Sequence, residues 1–117
     1  MRAQARPCAE CPWRIDVAPG RFEPERYQAL AATAEDLSVR IFSCHKSAEG
    51  ADVVCAGFLE RGAMHNLAIR LAYVSNEIEL LDRSGGLDLH EDYRAMAIAN
   101  GVDPDDPALG PCRGNGY

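Results

Sequence analysis

Four cysteines, Cys8, Cys11, Cys44 and Cys55, constrain this chain more than any other feature. Their spacing is C-x2-C, then 32 residues, then C-x10-C. Two thiolates three positions apart can chelate one ion or cluster and leave room for two further ligands. Cys44 and Cys55 do not form a second compact knuckle, so tertiary structure has to bring them to the first pair. Closing a loop of that length costs on the order of a few kcal/mol of chain entropy, which metal–thiolate bonds can offset and free thiols cannot. The expected fold is therefore organised around a four-cysteine metal site, with metal binding and folding coupled.

Three other uses of the cysteines fit less well. A disulfide framework suits neither an odd total of five cysteines nor a reducing compartment. The opening residues Met1 to Cys8 contain no apolar run of the signal-peptide kind, and no later segment approaches the ~18 apolar residues of a membrane span, so a cytoplasmic setting is expected. A redox pair of the thioredoxin type needs its C-x2-C between a strand and a helix, whereas here proline-rich chain flanks both sides. Burial as four small hydrophobes conflicts with the polar, proline-rich surroundings of Cys8 and Cys11.

Around the cysteines the pattern predicts a mainly α, single small domain of about four helices, spanning 1–102, followed by a Pro/Gly/Asp-rich tail at 103–117 with little ordering power. Residues 6–24 hold four of the seven prolines and should be irregular. Pro24 opens a helix to about Leu37, with Tyr27, Leu30, Ala31 and Ala34 on one stripe. Val39–Phe42 reads as a brief strand or extended segment, and residues 47–52 as a loop. A short helix opens near Val53, and an amphipathic one runs from Met64 to Val74. After a turn at Gly85-Gly86, Asp88 and Glu91 resemble a capping box for a last helix, Leu89 to Asn100, ended by Gly101.

The metal has two candidates. Zinc accepts sulfur and imidazole alike, so Cys8, Cys11, Cys55 and either Cys44 or His45 would serve. A [4Fe-4S] cluster tolerates one C-x2-C plus two scattered cysteines, and a proline directly after a ligating cysteine, here Cys11-Pro12, recurs at such sites. Either centre with four thiolates carries a charge of about -2, and Arg14 and Lys46 are placed to offset it. Trp13 is placed to keep water away.

Two resemblances extend this reading. Cys8-x-x-Cys11-Pro12 followed by Cys44-x10-Cys55-Ala-Gly-Phe58-Leu59 is similar to the cluster-binding elements of the family 4 uracil-DNA glycosylases, which implies an iron–sulfur centre; the catalytic motif of those enzymes is absent and the chain is too short for their fold. More broadly, Cys8-Ala-Glu-Cys11-Pro-Trp-Arg14, Phe42-Ser-Cys44-His45-Lys46-Ser47, Cys55-Ala-Gly57-Phe-Leu59, Asn66-x3-Arg70-Leu71 and Tyr93-x2-Met96-Ala97-x2-Asn100-Gly101 resemble an uncharacterised family of small actinobacterial and actinophage proteins. That resemblance implies a shared cysteine framework and a bacterial host cytoplasm, with no activity to transfer; Cys112 falls outside its motifs, which makes it the spare thiol.

The functional expectation is a cytoplasmic metal-binding protein with four cysteine ligands, foremost with a [4Fe-4S] cluster in a structural, redox-sensing or regulatory role. The alternative is a structural zinc domain that docks another protein, and a metal-dependent nucleic-acid-processing enzyme is a more distant one. A net charge of -6 argues against a general nucleic-acid binder. Paired carboxylates, an activated serine and a phosphate-cradling loop are missing at interpretable spacing, so the expectation leans away from catalysis toward a protein partner.

Overall fold

A computed structural model describes residues 1–19, 22–43, 53–112 and 114. Two strand residues, Arg2–Ala3 (β1), pair in parallel with Val53–Val54 (β2), in the register Arg2 with Val53 and Ala3 with Val54. Four helices follow the order Pro24–Leu30 (α1), Ala56–Arg61 (α2), Leu67–Val74 (α3) and Tyr93–Ala99 (α4). Single 3-10 turns occupy Ala31–Ala34 and Pro107–Leu109. Among the described residues the expected number of about four helices is thus observed, in a small single domain with a two-stranded parallel sheet added.

Several boundaries differ from expectation for identifiable reasons. The helix from Pro24 tightens to 3-10 at Ala31 and stops before Glu35, two residues ahead of Leu37, which sits at φ 60. A leucine in the left-handed region cannot continue a right-handed helix. Val39–Phe42 forms no strand; the ladder passes to Val53–Val54, which was expected to open a helix. The backbone of Phe42 instead accepts from Cys55 N at 3.0 Å, and Ser43 bridges Val54. β-branched Val53 and Val54 favour extended chain, and the helix begins only where Ala56 replaces them.

The third helix starts at Leu67, three residues after Met64, because Asn66 caps it: its side chain accepts from Ile69 N at 3.0 Å. Asn66 is also buried and donates to the carbonyls of Thr33 (3.0 Å) and Arg40 (2.7 Å), tying α3 to the chain that leads out of α1. In the last helix the cap is Asp92, accepting from Ala95 N at 2.8 Å, and not Asp88. Leu89 is taken by an antiparallel bridge to Arg14, which delays the helix to Tyr93. Gly101, at φ 104, ends it as expected.

Residues 103–112, expected to carry little order, fold back onto the domain. Asp106 caps the turn Pro107–Leu109, Leu109 is fully buried, and Cys112 bridges Glu35. An apolar side chain at Leu109 pays for this return, since burying a leucine contributes roughly 1.5–3 kcal/mol.

The core is built on aromatic contacts. Trp13, wholly buried, meets Phe42 and Tyr93 edge-on, each at 5.8 Å between centroids, and Phe42 stacks on Phe58 at 5.9 Å. One loop residue thus joins the irregular N-terminal segment to α2 and α4. Arg83 holds the remaining edge: its guanidinium donates to the carbonyls of Gln4 and Glu79, both at 2.8 Å, which fixes Gln4 beside α2.

Candidate metal centre

The segment around Cys8 and Cys11 has no ladder, and two consecutive turns shape it. Cys11 N donates to Cys8 O at 3.2 Å and Arg14 N to Cys11 O at 3.1 Å, so Cys8 and Cys11 stand on one turn and Trp13 projects into the core from the next. The other thiol is positioned from the opposite direction. Cys55 is the residue before α2, its amide bound to Phe42 O and the following amide, Ala56 N, bound to Gln4 Oε1 at 3.0 Å.

These two constructions bring Cys11 and Cys55, 44 residues apart in sequence, to a sulfur–sulfur distance of 3.7 Å in a buried setting. Cys8 lines the same small cavity, together with Gln4, Pro12, Tyr27, Phe42 and Ser43. Its volume is about 10 Å³. Three of the four expected cysteine ligands therefore border one space, and Ser43, the neighbour of Cys44 in sequence, borders it too. Cys44, His45 and Lys46 themselves lie outside the described residues. Among the described residues no three His, Cys, Asp or Glu side chains are close enough together to hold a metal ion.

The two close thiols are electrostatically unequal. The hydrogen bond with Cys55 is the largest influence lowering the Cys11 pKa; burial opposes it, and the amides of Trp13 and Gly57 and the charge of Arg14 assist. Cys55 is driven well above the usual thiol value by the same partner and by burial. Cys11 is thus the more acidic thiol of the pair and Cys55 the one that holds its proton more tightly.

The flanking residues take definite places. Arg14 spends its charge locally, donating from Nε and Nη2 to Asp16 at 2.8 and 2.7 Å and from Nη1 to Cys8 O at 3.1 Å. It therefore braces the cysteine turn as well as acting as a distant counter-charge. Trp13 shields the interior as a core residue behind the cavity, and its packing explains two glycines. A Cβ on Gly57 would lie 2.4 Å from Trp13 Cβ, and one on Gly62 2.5 Å from Trp13 Cη2. Cys112 stands apart from the cavity, donating to Ala31 O at 3.4 Å, with its pKa raised to about 11 chiefly by burial.

Tyr27, Gln4 and Ser43 were not foreseen at this site. Tyr27 counted as one stripe residue among alanines and a leucine; the available signal was its hydroxyl, since a buried tyrosine has to place that group somewhere. Nothing in the sequence marks Gln4, whose role depends on the parallel pairing of β1 with β2.

The donor chemistry fits a thiophilic metal. Four sulfurs around one zinc at about 2.3 Å stand about 3.8 Å apart by tetrahedral geometry, close to the 3.7 Å between Cys11 and Cys55. In a four-iron cluster each thiolate binds a separate iron, so those two sulfurs would have to move apart. Among the described residues no helix is long and apolar enough to cross a membrane.

No curated protein and no solved structure matches the chain. A family model does, over residues 3–113, a span that takes in the cysteine turn, the Cys55 helix and the returning segment at Cys112. The chain belongs to that family, DUF6283, a family of unknown function.

Proposed function

We propose that this chain is a small metal-binding domain in which Cys8, Cys11 and Cys55, completed by Cys44 or His45, hold one metal centre in a structural or regulatory role. The observation that carries the reading is the meeting of Cys8, Cys11 and Cys55 on one cavity beside Ser43, from two segments that are far apart in sequence. Two buried thiols in contact, with a third on the same cavity, are soft donors that a thiophilic cation can use. The 3.7 Å spacing and the small cavity favour a single tetrahedral ion, zinc, as the occupant. A second reading, a [4Fe-4S] cluster, is favoured by the Cys11-Pro12 step and by the wide spacing of Cys44 and Cys55. In both readings the centre has no open coordination position, so the domain acts through a protein partner and not through hydrolysis.

Metal analysis of anaerobically purified protein tests this directly. One zinc per chain in colourless protein supports the first reading. Brown protein with a dithionite-bleached band near 400 nm supports the second. Protein free of both, which also fails to take up zinc added after reduction, would sink the proposal.

A further inference from the structure

Among the described residues three buried side-chain polar atoms meet no hydrogen-bond partner: Trp13 Nε1, Tyr27 OH and Arg83 Nε. Of these residues only Tyr27 lines the cavity shared by the cysteines. Buried hydroxyls are nearly always paired, and phenylalanine would give the same ring packing without the polar group. The ring is also fixed. Tyr27 is 1% exposed, its carbonyl accepts from Tyr93 OH at 2.5 Å, and Phe22 packs edge-on at 6.5 Å. Tyr27 also borders a second narrow cavity with Pro12, His90 and Asn100.

Resting on the metal-centre reading, we propose that Tyr27 is a positioning residue whose hydroxyl donates a hydrogen bond to the thiolate shell of the bound metal. Thiolates around zinc or a four-iron cluster carry a charge of about -2, and every donor aimed at them in a dry cavity favours the loaded state. The amides of Trp13 and Gly57 already favour the Cys11 thiolate from the backbone side, and burial above all holds the Tyr27 phenol protonated, so that it can donate. Tyr27 adds the one side-chain O–H donor on α1. Before loading, its buried hydroxyl goes unmatched and only the metal-bound thiolates satisfy it, which biases the domain toward its loaded form.

The test is Tyr27→Phe in the full chain, with Zn2+ alone as the probe. Competition against a chromophoric chelator should show affinity weaker by about tenfold or more, the usual scale for loss of such a donor. Metal-free thermal stability should be equal to wild type or higher. Unchanged zinc affinity overturns the proposal, and so does a fall in metal-free stability that accounts for the affinity loss. A wild type that takes up no zinc and no cluster instead removes the metal-centre reading, and this inference with it. If the variant does not fold, isotope-edited infrared spectra of wild type carrying ring-labelled tyrosine give the answer: one tyrosine C–O band should shift on adding Zn2+, and no shift overturns the assignment.

Discussion

Replacing Gly57 by alanine isolates the contact on which both the core and the cysteine site depend. The new Cβ would sit 2.4, 2.6 and 2.8 Å from Trp13 Cβ, Cγ and Cδ1. The closest of these atoms is the root of the side chain, which cannot rotate away, and the indole is wedged between Phe42 and Tyr93 at 5.8 Å each. Ordinary contact therefore requires α2 and the Trp13 turn to part by roughly 1 Å. Overpacking of this kind costs about 3 kcal/mol, at the upper end of the observed range, because the obstruction is nearly backbone. Helix propensity returns about 1 kcal/mol on exchanging glycine for alanine. The net loss of about 2 kcal/mol corresponds to a fall in Tm of about 8 °C for a chain of this size. Zinc affinity should fall with it, because the displaced elements carry Cys11 and Cys55. Calorimetric melting of Gly57→Ala, beside Gly86→Ala as a comparison, checks the reasoning. At Gly86 a Cβ meets nothing within 4 Å and only the φ of +75 is unfavourable, so about 1 kcal/mol should be lost. A Gly57→Ala protein that melts at or above the wild-type temperature would refute the steric argument, since that is what helix propensity alone produces.

Three further outcomes are expected. Cys11→Ser should lose stoichiometric metal, and chelator treatment should lower the Tm of wild type but leave the variant unmoved; at a hundredfold excess of metal over Kd the difference is about 2.7 kcal/mol, and equal responses in a denaturation series would count against the site. Asn66→Ala removes a helix cap and two buried donor contacts, to Thr33 and Arg40, so urea titration should register a loss of about 3 kcal/mol, at about 1 kcal/mol for each bond; a loss near zero would show these contacts to be incidental. The Cys112 thiol is raised from 9.0 to about 11, by burial first and then by Glu35 and Asp92, with Arg94 opposing. A raised thiol favours the protonated folded state, so its contribution is complete below pH 9.0 and is lost as pH rises through about 11. Stability measured between those values should decline in wild type with a slope that Cys112→Ser reduces, and an identical slope in both would refute the assignment.

How much of this was legible depends on whether the signal was local. Helix existence followed from periodicity, and Gly101 as a stop followed from glycine chemistry. Asp88 and Asp92 offer the same capping side chain for α4, and only the Arg14–Leu89 bridge decides in favour of Asp92. Val39–Phe42 and Val53–Val54 have equal claim to a strand by composition; Arg2–Ala3, distant in sequence, selected the second. At the site, the residue types of Cys8, Cys11 and Cys55 pointed to one shared location, and these three do line one cavity. The places of Tyr27 and Gln4 there depend on packing between segments that the sequence does not link.

The separation of Cys11 from Cys55 also bears on how the protein is made. Synthesis at about 5–20 residues per second leaves the Cys8–Cys11 turn waiting for several seconds before Cys55 is joined to the chain. During that interval the early thiols can meet oxidants or stray cations as an isolated two-sulfur ligand, with Trp13 still lacking Phe58 and Tyr93 to pack against. On the metal-centre proposal, loading is a late event on the ribosome or one that follows release, and the yield of intact protein in a producing cell should then track thiol-reducing capacity and metal supply during translation as much as the stability of the finished fold.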